Sequence, residues 1–169
     1  DAILTSMWFK GADEFKDTMG YEITTEPFAN RGEWLPRVTK ILEVKNKSGL
    51  DQFFKEMESY SAVQEVKTKS AEEGTRVHEV IQGHMTGRTD EIPQDMQHVV
   101  EAFDVFNQKH GITFYSEFIE RRIWSGLHRF AGTVDALASI GNKFGVLDIK
   151  TSTGFFPEYN LQTAAYVLA

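Results

Sequence analysis

The sequence predicts an α/β (α+β) domain with a central mixed sheet flanked by helices. Three observations carry this: apolar residues recur at helical spacing up to Gly111, the period turns extended between Ile112 and Lys150, and Pro157 opens a final amphipathic stretch. With 169 residues, of which 41% are hydrophobic and 12% aromatic, the chain suits one domain spanning 1–169. The absence of cysteine excludes disulfides, thiolate zinc sites, cysteine nucleophiles and cysteine-bound iron–sulfur clusters, and fits a reducing compartment. No apolar run approaches the ~18 residues of a membrane span. The first residues lack both a basic segment and an initiator Met, so we read a processed or trimmed start and a soluble, intracellular protein.

The helical part occupies 35–110. Residues 1–34 are turn-rich with a strand-like piece at Tyr21–Thr24, and Leu35-Pro36-Arg37-Val38-Thr39 opens a short helix through Val44. From Ser48 onward, Leu50, Phe53, Phe54, Met57, Tyr60 and Val63 fall on a helical stripe, a core face in preference to a base-stacking platform. A capping-box pattern at Ser70–Glu73 starts a second helix with Val77, Ile81 and Met85 on one side. A third runs from Pro93 to about Lys109, with Gly111 as its stop. Three extended runs follow, Ile112–Trp124, Arg129–Ile140 and Phe144–Lys150, read as an antiparallel meander forming a sheet over 112–150. The final helix, 157–169, carries Leu161, Ala164, Ala165 and Leu168 as its apolar stripe.

Gly141-Asn142 is the residue pair of a two-residue hairpin turn, and that turn sets a register. Counting outward pairs Ile140 with Lys143 and, five steps on, Asp135 with Asp148; Lys150 points to the same face. Two ionised carboxylates ~5 Å apart repel by roughly 3 kcal/mol at an effective dielectric near 20. A divalent cation removes that repulsion, since Mg²⁺ is held by one or two carboxylates plus phosphates and water. With a lysine alongside, the set points to metal-assisted phosphodiester hydrolysis. The bland reading makes Asp148 and Lys150 edge-strand charges, but Val146, Leu147 and Ile149 read as an interior strand, where unpaired charge is costly. A three-residue turn at Ser125-Gly126-Leu127 would place Glu117 opposite Asp135 as a third carboxylate. The chain carries a net charge of -7, which disfavours nonspecific nucleic-acid binding. Residues 121–150, by contrast, hold five Lys/Arg against two acids.

Gly132-Thr133-Val134-Asp135, then Asp148-Ile149-Lys150-Thr151-Ser152, then Gln162 and Tyr166 in Gln-x-x-x-Tyr spacing, resemble the PD-(D/E)XK nuclease superfamily in its RecB-like exonuclease branch. The earlier Gly74-Thr75-Arg76-Val77-His78-Glu79 resembles that branch's histidine motif. The cysteine-free layout is most similar to stand-alone exonucleases of phages and of the mitochondrial genome maintenance type. The resemblance implies a restriction-endonuclease-like core and one or two Mg²⁺ or Mn²⁺ ions, without an iron–sulfur cluster. It implies Asp135, Asp148, His78 and the Ile149 carbonyl as metal ligands, with Lys150 assisting the hydrolytic water. It also implies Thr151, Ser152, Gln162 and Tyr166 as substrate contacts, the last two orienting the scissile strand. Among the cations Arg121, Arg122, Arg129 and Lys143, Arg122 is assigned to substrate. His84, His98, His110 and His128 lack such context and are read as surface residues. The family's sheet and helices usually continue past the Gln-x-x-x-Tyr helix, so a truncated C-terminus is expected. The expected function is a metal-dependent DNA exonuclease acting on single-stranded DNA or duplex ends; the alternative is a catalytically silent nucleic-acid-binding module.

Overall fold

A computed structural model describes residues 4–8, 19–23, 34–44, 60–88, 92–152 and 154–169. In chain order the elements are β1 (Leu4–Trp8), β2 (Met19–Ile23), β3 (Trp34–Pro36), α1 (Val38–Leu42), α2 (Tyr60–Met85), α3 (Gln97–His110), β4 (Ile112–Phe114), β5 (Arg121–Ser125), β6 (Phe130–Val134), β7 (Ala136–Ile140), β8 (Lys143–Leu147) and α4 (Pro157–Val167). This is an α+β arrangement with antiparallel sheets, β1-β2-β3, β4-β7-β8 and β5-β6. Of the expected mixed sheet, the described residues show a single parallel bridge, Arg37 with Ala131. No described helix is long and apolar enough to cross a membrane. The described chain divides into two compact units.

The first unit holds β1–β3, α1, the β5–β6 hairpin and α4. Leu35, Val38, Phe130, Ala131, Val134 and Tyr166 form its buried core, where α1 packs on α4 and β3 on β6. The sequence stripe on α4 does not supply the buried face. Gln162 and Tyr166 are the buried residues, each 7% exposed, while Leu161 and Leu168 are 43% and 62% exposed. Backbone geometry explains the inversion. Gly132 leaves room for the Tyr166 ring, since a Cβ there would stand 2.5 Å from Tyr166 Cε1, and Gln162 Nε2 donates to the Tyr166 hydroxyl at 3.1 Å, so the amide is buried with a partner.

The β5–β6 hairpin pairs Ser125 with Phe130 and Arg121 with Val134, so its loop has four residues, not three. The Arg129 N–H closes the loop on the Ser125 carbonyl at 2.8 Å, with Arg129 itself at φ 57°. That left-handed position suits Gly and costs an L-residue about 1 kcal/mol. Arg129→Gly is therefore expected to raise stability by up to about 1 kcal/mol, read as a higher melting temperature.

The second unit holds α2, α3, β4, β7 and β8. The helix expected from Ser48 and its Phe53, Phe54 and Met57 stripe lie outside the described residues through 59. From Tyr60 the chain is one uninterrupted helix, so the Ser70–Glu73 pattern is not a helix start. No Pro interrupts residues 64–73, which are exposed and rich in Gln, Glu and Lys, good helix formers. Helix α3 ends as expected at Gly111, which takes φ 58° and donates its N–H to the Asn107 carbonyl.

Two of the three expected extended runs are interrupted. Ile112–Trp124 splits around a 3₁₀ turn at Ser116–Phe118, followed by Glu120 at φ 54°, and Arg129–Ile140 splits at Asp135. The third run lies at the edge of the described β4-β7-β8 order, not in its interior, and Val146, Leu147 and Ile149 are only half-buried. The hairpin register is the one the Gly-Asn turn dictates, with Ile140 facing Lys143, Ala136 facing Leu147 and Gly141 at φ 58°.

Candidate active site

The β7–β8 ladder ends at Ala136 and Leu147, so Asp135 and Asp148 flank its open end together. Asp135 Oδ2 accepts the N–H of Ile149 at 2.6 Å. A side chain thus takes the N–H where a longer ladder would use a carbonyl, and strand pairing stops there. The other oxygen, Oδ1, lies 3.3 Å from His78 Nδ1, supplied by α2. Asp148 is held by Lys150, whose Nζ lies 2.6 Å from Asp148 Oδ2; the two side chains are 6% and 27% exposed. His78, Asp135, Asp148, the Ile149 amide and Lys150 therefore converge within the second unit.

The electrostatics of this cluster are coupled. The hydrogen bond to Asp135 raises the His78 pKa above its ordinary value, against burial, which lowers it. Burial lifts the Asp148 carboxyl above the ordinary range, while the Lys150 ammonium pulls it back and the Asp135 charge adds to the rise. Two carboxylates at one strand end are thus compensated by one lysine and by a histidine that holds its proton more tightly than usual.

Gly74, one helical turn before His78, approaches the residue following Lys150. A Cβ at Gly74 would stand 3.2 Å from Thr151 Oγ1. Thr151 and Ser152 are exposed at the end of the Asp148–Lys150 segment, and the Ser152 hydroxyl donates to the Gly154 carbonyl at 2.8 Å. Arg122, Gln162 and Tyr166 belong to the first unit, Arg122 exposed on β5 and the other two buried on α4. Glu117 is not a strand residue opposite Asp135. It lies in the Ser116–Phe118 3₁₀ turn, exposed and beside the Ser116 hydroxyl, because the four-residue loop shifts the β5 register and β5 begins only at Arg121.

His84 also departs from expectation. Its Nε2 lies 2.7 Å from Asp104 Oδ1, its ring meets the Phe103 edge, and its Nδ1 is buried without a hydrogen-bond partner, so it ties α2 to α3 and is not a surface residue. The sequence signal was its place one turn after Val80 and Ile81 on the buried side of α2.

The donor set suits a hard cation. Carboxylate oxygens with one imidazole fit Mg²⁺ or Mn²⁺, and Mg²⁺ needs only one or two carboxylates when phosphates and water complete its shell. Among the described residues no group of three or more His, Asp and Glu side chains is gathered around a common point. In this arrangement the His78 ring lies against Asp135 and the Lys150 ammonium against Asp148. Comparison with protein-family profiles, with curated proteins and with solved structures returns no match.

Proposed function

We propose that this chain is a metal-dependent DNA nuclease built on a PD-(D/E)XK core, acting as an exonuclease on single-stranded ends. The observation that carries the reading is the convergence of Asp135 and Asp148 at one ladder end, with His78 on the first and Lys150 on the second. Asp135, Asp148 and His78, with the Ile149 carbonyl, are the residues to hold Mg²⁺ or Mn²⁺. A bound divalent ion supplies charge stabilisation at the phosphate and a more acidic water. Lys150 Nζ sets the position of the attacking water and offsets negative charge developing on the phosphoryl oxygens. The water oxygen bonds to phosphorus, the ester P–O bond breaks, and the leaving oxygen takes a proton to give a phosphomonoester and a hydroxyl end. Thr151 and Ser152, exposed at the end of the Asp148–Lys150 segment, contact the strand in this reading, whereas Gln162 and Tyr166 are buried against each other in the first unit.

Linear and covalently closed circular single-stranded DNA, incubated in Mg²⁺, Mn²⁺ or EDTA, test the reading. Shortening of the linear strand in metal alone is expected, with the circle spared. Digestion of the circle contradicts the exonuclease assignment, and binding without turnover in any metal identifies a catalytically silent nucleic-acid-binding module instead.

A pH dependence follows from the same cluster. Both His78 and Asp148 bind their protons more tightly in the folded chain than in the unfolded one. Without metal, the stability they contribute is therefore full below their ordinary values and is lost as pH rises through the raised ones. A metal needs both groups deprotonated, so its stabilisation grows over the same rise. Melting in Mn²⁺ and in EDTA is expected to show a larger metal-induced upward shift at about pH 8 than at about pH 6. Equal shifts at both contradict His78 as a ligand.

A further inference from the structure

Asp135 uses its two carboxylate oxygens differently. Oδ2 accepts the Ile149 N–H at 2.6 Å, a charge-assisted bond whose donor is a backbone group fixed by the course of the chain from Asp148 to Lys150. Oδ1 stands 3.3 Å from His78 Nδ1. Two neighbouring ligands on one octahedral ion, each bonded at ~2.1 Å, lie roughly 3 Å apart, so this spacing suits an imidazole and one carboxylate oxygen sharing a single cation. Asp148 is divided in the same way, since Lys150 Nζ lies 2.6 Å from its Oδ2.

We infer that the site takes one divalent ion, and that Asp135 Oδ2 is a structural acceptor that keeps this carboxylate from bridging two. A paired site sets its ions about 3.5–4 Å apart and needs carboxylates that span them with both oxygens. Here Oδ2 of each aspartate is already engaged, one by a backbone amide and the other by an ammonium. Among the described residues no three or more His, Asp and Glu side chains gather around one point, so donors for a second ion are lacking, whereas one ion needs only one or two carboxylates beside phosphate and water. Charge leads to the same count. With His78 neutral as a ligand, one divalent ion and the Lys150 ammonium outweigh the two carboxylates by the single charge that one phosphodiester carries, and a second ion leaves an excess. The inference rests on the metal-dependent nuclease reading for there being an ion at all; the count and the role of Oδ2 go beyond it.

Mn²⁺ binding, counted by electron paramagnetic resonance, and melting in EDTA are compared for the parent chain, Asp135→Asn, Asp135→Ala and Asp135→Asn/Asp148→Asn. Asparagine keeps a carbonyl oxygen for the Ile149 N–H but sets an amide nitrogen, a non-ligand, where Oδ1 stood; alanine removes both. The parent is expected to bind one more Mn²⁺ per chain than the double variant, which corrects for ions held elsewhere on an acidic chain of net charge -7. Asp135→Asn should melt near the parent in EDTA yet bind Mn²⁺ at least about 10-fold more weakly. Asp135→Ala should lose the same affinity and also melt lower by at least about 2–4 °C. A purely structural Asp135 would move the melting and leave the binding unchanged, so parental Mn²⁺ affinity in Asp135→Asn overturns the ligand role of Oδ1. Asp135→Asn melting as low as Asp135→Ala overturns the structural role of Oδ2. Two ions per chain above the double variant overturn the single-ion count and leave the nuclease reading standing. No ion above the double variant removes the nuclease reading itself, and this inference with it.

Discussion

Changing Asp148 and Lys150 together to alanine is expected to abolish metal-dependent cleavage, a loss of at least about 10³-fold, while thermal stability stays close to that of the parent chain. The physical reason lies in burial. Asp148 is 6% exposed and its ion partner is Lys150 at 2.6 Å. Removing both leaves no buried charge behind, whereas removing one leaves the other exposed to the full desolvation penalty. Lys150→Ala alone should therefore cost about 1–3 kcal/mol at neutral pH. That loss should shrink on acidification, because burial already lifts the Asp148 pKa and, with the ammonium gone, the carboxyl takes up a proton more readily still. Melting curves across pH for the single and double variants check the sign. A single variant as stable as the double at neutral pH contradicts the account of the ion pair.

Gly132→Ala carries the largest expected effect on folding. The added Cβ would meet the Tyr166 ring at 2.5 Å, closer than real Cβ contacts stand, and Tyr166 is 7% exposed, so it has little room to retreat. Overpacking of this kind costs about 1–3 kcal/mol. In a chain of this size each kcal/mol lowers the melting temperature by about 2–4 °C. The displaced ring also draws its hydroxyl away from Gln162 Nε2, leaving a buried amide short of its partner. Tyr166→Phe separates the two effects, since it keeps the ring and removes only the hydrogen bond. Denaturant unfolding should place Tyr166→Phe between the parent and Gly132→Ala. An alanine variant as stable as the parent chain contradicts the close packing of α4 on β6.

What was legible in the sequence was set by local chemistry. The Gly141-Asn142 pair defines a two-residue turn, and from that turn alone the register bringing Asp135 and Asp148 to one ladder end can be counted. Gly111 likewise marks the end of α3 because its left-handed cap needs no tertiary help. What escaped depends on partners distant in sequence. The break at Asp135 arises from its side chain taking the Ile149 N–H fourteen residues on. The inward face of α4 is decided by the space at Gly132, so a Gln and a Tyr are buried where a leucine stripe was expected. The Glu117 placement failed because the loop is one residue longer and starts one residue later than the expected three-residue turn, and because a 3₁₀ turn takes Ser116–Phe118 out of the strand. Ser70 shows the limit of motif reading, since a capping-box pattern is also compatible with a helix interior exposed to solvent.

On the proposed function, the Asp135, Asp148 and Lys150 cluster hydrolyses DNA phosphodiesters with a divalent metal. Gel-resolved digestion of end-labelled single-stranded DNA by the parent chain and by the Asp148→Ala/Lys150→Ala double variant, each in Mg²⁺, Mn²⁺ and EDTA, tests it most directly. Shortening by the parent chain is expected in metal, and none in EDTA or with the double variant. Digestion by the double variant at the parental rate, or an intact substrate under every condition with the parent chain, would contradict it.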